Sequence, residues 1–313
     1  MRFKRIICAA VSAVLYVGCL SSFAYPRDAA ALTLAAASTA GADNAGFSIP
    51  EIKLAALNSS AAEGKGSVKL DLSSVGKGYV AVSATSSHRL KFQVIVGDIT
   101  YNYDMPSDGQ TAIFPLQSGN GTYKFRVMEN VSASRYAEMY SSSCSVSLES
   151  EFSPFLVNSS YVPYSADSNC VKKSRELAEG CKTTVDVIKK IYDYICSTVT
   201  YDYDKAMTVK SGYMSDPDAT MSSGKGICFD YSALAASMLR NLGIPVKMIF
   251  GYVAPDNVYH AWNMIYTTEQ GWISADLAVK PKAWTRFDLT FSANGADGSF
   301  IGNGSNYADV YVY

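Results

Sequence analysis

The spacing of apolar and polar residues changes period along this chain, and the change divides it. From about Ser67 to Glu149 the runs read as strands. Val68-Lys69-Leu70-Asp71-Leu72 alternates with period two, and Tyr79-Val80-Ala81-Val82, Leu90–Val96, Ala112–Leu116, Tyr123–Val127 and Cys144–Leu148 follow it. Turn-forming clusters such as Ser107-Asp108-Gly109 and Ser118-Gly119-Asn120-Gly121 separate them. Short strands at regular spacing predict an antiparallel, β-sandwich-like domain over residues 67–150. Beyond residue 160 the period becomes helical. Thr183 and Asp186 have the spacing of a capping box, and Ile188, Ile191, Tyr192, Ile195 and Val199 follow on one helical face. A second helix carries Tyr231, Leu234, Ala235, Met238, Leu239 and Leu242, closed by Gly243 and Pro245. Val246–Val253 and Tyr259–Tyr266 then read as strands, so residues 151–313 are expected to be mixed and the whole chain α+β.

The N-terminus carries a different signal. Arg2, Lys4 and Arg5 precede a short apolar run from Ile6 to Gly18, and Ser22-Phe23-Ala24 offers small residues at a cleavage site. The run is too short to span a bilayer comfortably, so residues 1–24 read as a cleaved secretory signal. Lipid attachment at Cys19 is the alternative. Residues 25–66, rich in Ala, Ser and Thr near their start, read as a loose tether. No later stretch is long and apolar enough to span a membrane.

Composition narrows the function classes. The chain has 313 residues, 27 Lys+Arg against 28 Asp+Glu, and no basic block, which excludes a concentrated nucleic-acid-binding face. Losing the leader removes three basic residues and no acids, so 24 − 28 gives −4 for the mature chain. There are 22 Tyr but only 2 His, too few for a multi-histidine metal centre. The paired Asp202 and Asp204 lack the glycine and distal Glu of a calcium loop. No metal or cofactor is expected. Five Cys follow the leader: Cys144, Cys170, Cys181, Cys196 and Cys228. An odd number leaves at least one thiol free or paired with another molecule, and Cys170 with Cys196 across a helical hairpin is one possible bridge.

The chemistry is expected between Gly224 and Phe291. Gly224-Lys225-Gly226-Ile227-Cys228 places Cys228 at a helix N-terminus, where unpaired N–H groups and the helix dipole favour a thiolate. His260 lies downstream on a predicted strand, whereas His88 sits in a polar turn and is assigned no role. A Cys–His pair lets the imidazole accept the thiol proton, and a third group should orient the ring. Asp276 and Asp288 both qualify. A simple hairpin after His260 favours Asp276, and local chemistry leaves the choice open.

The ordered blocks Gly226-Ile227-Cys228-Phe229-Asp230-Tyr231, Leu239-Arg240-Asn241-Leu242-Gly243-Ile244-Pro245, Gly251-Tyr252 and His260-Ala261-Trp262-Asn263 resemble the transglutaminase-like (transglutaminase/protease) superfamily, in particular its secreted bacterial members. The resemblance runs from roughly Ser150 to Tyr313, through Gly302-Asn303-Gly304-Ser305-Asn306-Tyr307. It implies a papain-like, transglutaminase-like domain with Cys228, His260 and Asp288 as its catalytic set. Asp288-Leu289-Thr290-Phe291 aligns with the family's Asp-Pro-Thr-Phe segment, with Leu289 in place of Pro. The implied activity is a Cys acyl-enzyme formed on protein or peptide amides. Three outcomes follow: a secreted cysteine hydrolase, a protein-glutamine cross-linking transferase, or a non-catalytic binding module on the same scaffold.

Overall fold

The computed structural model describes residues 46–273, 277–296, 298–302 and 304–313. The expected leader, Cys19 and Asp276 lie outside the described residues.

Seven strands form the first region. They are β1 (Lys69–Asp71), β2 (Tyr79–Ser83), β3 (Leu90–Val96), β4 (Ile99–Met105), β5 (Ala112–Pro115), β6 (Gly121–Ser132) and β7 (Arg135–Val146). They make two antiparallel sheets, ordered β1-β2-β5 and β4-β3-β6-β7. The buried residues of both sheets share one core, in which Phe92 of β3 stacks on Phe114 of β5 at 4.8 Å between ring centroids. Two elements exceed the sequence reading. Strand β4 was not expected, although Tyr101, Tyr103 and Met105 alternate inward along it. The reading placed only Cys144–Leu148 on the last strand, whereas β7 starts at Arg135, because its polar outer face hides the alternation.

The second region carries α1 (Asn169–Ala178), α2 (Thr184–Thr198), β8 (Thr200–Tyr201), α3 (Tyr203–Thr208), α4 (Pro217–Ser223), β9 (Lys225–Gly226) and α5 (Cys228–Arg240). Strands β10 (Val246–Val253), β11 (Val258–Thr267), β12 (Gly271–Trp272), β13 (Ala278–Val279) and β14 (Ala283–Phe287) follow. Short helices α6 (Leu289–Ala293) and α7 (Gly298–Gly302) precede the last strand, β15 (Tyr307–Val312). The main sheet is antiparallel, ordered β14-β11-β10-β15, with α5 against β10 and β11. The chain is therefore α+β.

The capping box forms as expected. Thr183 Oγ1 accepts from the Asp186 N–H at 3.0 Å, and Asp186 Oδ2 accepts from the Thr183 N–H at 3.0 Å. Helix α5 departs from a one-sided amphipathic reading, because every residue from Phe229 to Arg240 is buried. Its polar side chains survive burial by finding partners. The Arg240 guanidinium donates to the carbonyls of Val246 (2.7 Å), Val157 (2.9 Å) and Tyr313 (3.1 Å). That helix is thereby tied to the start of β10, the region before α1 and the last strand. Burial pulls the Arg240 guanidinium down to about 10.

The two regions are in contact. Tyr313 packs edge-on against Tyr101 and Tyr103 of β4 and stacks on Tyr161 at 4.4 Å. Residues 46–66, which composition places in the tether, lie along both regions. The Phe47 N–H donates to the Cys181 carbonyl, the Ala55 N–H to Asn158 Oδ1, and Glu63 bridges to Leu70. Cys144, Cys170, Cys181, Cys196 and Cys228 are all free thiols, so the considered Cys170–Cys196 bridge does not form. Asp202 has a structural use as the cap of α3, accepting from the Lys205 N–H at 2.9 Å. Among the described residues no cluster of metal-ligating side chains occurs, and no helix is long and apolar enough to cross a membrane.

Candidate active site

Cys228 is the first residue of α5, just after Ile227, whose backbone is extended at φ −92°, ψ 177°. The first turn of a helix leaves its N–H groups without intrahelical acceptors, so the thiol sits where those donors point. Cys228 is partly exposed. Glycine matters at one neighbouring position. Gly251 of β10 pairs in register with His260 of β11, and a Cβ there would collide with the Ala308 carbonyl and the Trp262 ring. The absence of a side chain lets β10, β11 and β15 close up around the imidazole.

His260 is 3% exposed and Asp288, which caps α6, is 1% exposed. Strand β14 ends at Phe287, paired with Asn263 of β11, and so delivers Asp288 beside the imidazole. The His260 Nε2 to Asp288 Oδ2 distance is 2.8 Å. Asp288 Oδ1 accepts from the Phe291 N–H at 3.1 Å, and Oδ2 also accepts from the Tyr307 hydroxyl at 3.0 Å. Burial works against a charged His260, but the Asp288 carboxylate and then the Cys228 thiol outweigh it. The imidazole is pushed up to about 10. Because Nε2 serves Asp288, Nδ1 remains for the thiol.

The structure thus brings together Cys228, His260 and Asp288. His88 lies apart, in an exposed turn beside Ser87 and Glu129. Of the two Asp candidates, Asp288 is the one the described residues place: β14 lies beside β11, and its end carries Asp288 to the ring.

Two further groups escaped the sequence reading. Asp230, fully buried at the third position of α5, accepts from four donors. These are the Ile227 N–H (2.9 Å), Lys205 Nζ (2.6 Å), the Tyr213 hydroxyl (2.6 Å) and the Ser215 hydroxyl (2.8 Å). This carboxylate pins α3 and the segment before α4 against the start of the nucleophile helix. Its position three residues after Ile227 is that of a capping acid, a local signal, but Lys205, Tyr213 and Ser215 carry none. Tyr307 is the second, standing at the start of β15 with its ring 4.3 Å from the Arg286 guanidinium. Burial and the neighbouring Asp288 push its phenol up, so it remains a donor.

Geometrically this is a Cys–His–Asp constellation at a helix start on an α+β scaffold. The Transglutaminase-like superfamily model matches residues 171–277, so this stretch of the chain is a transglutaminase-like domain. A 73-residue segment, 22% of the chain, is 33% identical to the UPF0252 protein MJ1282 of Methanocaldococcus jannaschii and spans only 20% of that relative's length. Solved structures similar to it include a candidate cysteine protease from Cytophaga hutchinsonii, at 14% identity and TM-score 0.37, covering 75% of this chain and 79% of that one. Red sea bream transglutaminase is similar at 12% identity and TM-score 0.29, covering 74% and 49%.

Proposed function

We propose that the chain is a thiol hydrolase acting on protein or peptide amides through a Cys228 acyl-enzyme. The observation that carries this reading is the buried His260–Asp288 pair beside a helix-start thiol. An imidazole held at about 10 keeps its proton at neutral pH, ready to pair with a thiolate. Cys228 Sγ attacks the amide carbonyl carbon, and the carbonyl electrons move to oxygen. The helix-start N–H of Cys228 is well placed to receive that oxyanion. When the C–N bond breaks, the His260 proton passes to the departing amine and a thioester remains. His260 then takes a proton from water, whose oxygen attacks the thioester carbonyl; the C–S bond breaks, releasing the acid and restoring the Cys228 thiolate beside protonated His260. Asp288 orients the ring and stabilises its charge throughout.

Water and an amine compete for the thioester, and access decides between them. Cys228 is partly exposed, and the neighbouring Tyr252 and Tyr259 are each 39% exposed, which supports entry of water. The leader read at residues 1–24 points to extracellular or cell-surface protein as substrate.

The test is incubation with a Gln peptide and a labelled primary amine. The hydrolase reading expects deamidated peptide to accumulate faster than amine-labelled peptide, and neither to form with Cys228→Ala. Amine incorporation outpacing hydrolysis would establish the cross-linking alternative instead. An inert chain whose five thiols alkylate at similar rates would favour a binding module.

A further inference from the structure

Asp288 Oδ2 accepts two hydrogen bonds, one from the His260 imidazole at 2.8 Å and one from the Tyr307 hydroxyl at 3.0 Å. The second is a long-range arrangement, since β15 reaches Asp288 only by pairing with β10. Tyr307 is itself held by two ring contacts and one backbone hydrogen bond. Arg286 of β14 lies over it at 4.3 Å, Trp262 meets it edge-on at 4.9 Å, and the Tyr307 N–H donates to the Gly304 carbonyl. Gly304 has φ +70°, a left-handed conformation that favours glycine, and the Arg286 guanidinium lies where a Cβ would otherwise stand. These contacts aim one phenol at one carboxylate oxygen.

We propose that Tyr307 is a positioning residue that limits how strongly Asp288 holds the His260 imidazolium. The proposal rests on the catalytic reading of Cys228, His260 and Asp288. The physical argument is competition for one oxygen. A hydrogen bond donated to a carboxylate withdraws negative charge from it, and charge-assisted bonds are stronger than neutral ones. Without the phenol, the full charge of Oδ2 would face Nε2. The imidazolium would then be over-stabilised and slower to pass its proton to a leaving amine, because transfer is most effective when the acid is poised near working pH. The phenol also prevents the carboxylate from rotating away from the ring.

The charged and titratable groups around this pair come from several elements. Cys228 of α5 faces the imidazole and Cys196 of α2 lies near Asp288. Arg286 stands against the Tyr307 ring and is 3.9 Å from Asp309. None of these groups donates to Asp288 Oδ2 as Tyr307 does.

The test uses the scarcity of histidine. With only His88 and His260, the imidazole nitrogens of the full chain can be labelled and resolved by NMR, with exposed His88 as the internal reference. Titration in a Cys228→Ala background removes the thiol's share of the rise and lowers the midpoint. Tyr307→Phe, which keeps the ring beneath Arg286, is expected to raise the His260 midpoint by about one pH unit. Incorporation of 3-fluorotyrosine at position 307 makes the phenol a stronger donor and is expected to lower it. An unchanged midpoint in both chains, or a fall with Phe, overturns the proposal. If Tyr307→Phe does not fold, the fluorinated chain decides alone. A purely structural role would weaken thermal stability without moving the midpoint. The titration does not depend on turnover, so loss of the acyl-enzyme reading, seen as absent hydrolysis and absent amine transfer, is recognised separately.

Discussion

Replacing Asp288 by Asn tests the site through protein stability as well as chemistry. The Asp288 carboxylate is the chief reason His260 titrates at about 10 instead of 6.5, against a burial that pulls the other way. A rise of about 3.5 pH units corresponds to an upper bound of about 5 kcal/mol favouring the protonated imidazole in the folded chain. The folded-state pKa lies above the unfolded one, so this stabilisation is complete below pH 6.5 and is lost as pH rises through 10. The native chain should therefore lose up to about 1.4 kcal/mol per pH unit across that window from this group. In Asp288→Asn, only the Cys228 thiol still opposes burial, and the His260 midpoint should fall well below its native value. Its contribution to the slope toward pH 10 should shrink accordingly. Denaturant unfolding of the two chains at intervals from pH 6.5 to 10 reads the difference, in which the other titrating groups cancel. Equal slopes would refute the pairing of His260 with Asp288 as the source of the shift. The same variant should alkylate more slowly at Cys228 near neutral pH.

Iodoacetamide should modify Cys228 first among the described thiols, because burial pushes Cys144, Cys170 and Cys196 up and Cys181 is buried; peptide mapping over time checks the order. His260→Ala should slow that modification by more than tenfold, and an unaffected rate would count against the pair. Asp230→Ala leaves Lys205 without its carboxylate and the Ile227 N–H without its acceptor, and should cost about 3–5 kcal/mol in chemical denaturation. Thr183→Ala removes a helix cap far from the thiol and should cost about 1 kcal/mol with no change in Cys228 alkylation.

Much of this protein is written in local patterns. The capping box of α2, the start of α5 at Cys228, and strands β10 and β11 all come from short-range periodicity and end signals, which act within one or two turns of chain. The scarcity of histidine singled out His260 in the same way. Other features depend on residues far apart in sequence. Strand β4 went unseen because its tyrosines alternate against a polar face that is itself part-covered by the sheet. Arg240 reads as the charged end of an amphipathic helix, yet it is enclosed because the distant carbonyls of Val157 and Tyr313 converge on it with that of nearby Val246.

At the site itself, sequence alone determined that a thiol would stand at a helix N-terminus and that one imidazole was available to serve it. It left Asp276 and Asp288 open, since spacing along the chain says which strand comes next and not which strand pairs. Tertiary structure brings Asp288 to the ring, because β14 pairs with β11 and Asp288 directly follows its last residue. It also supplied Tyr307 and the Lys205–Tyr213–Ser215 set, through pairing of β15 with β10 and closure of the segment before α4 over α5. Hydrogen bonds between side chains tens of residues apart leave no periodic trace, so only the folded chain shows them.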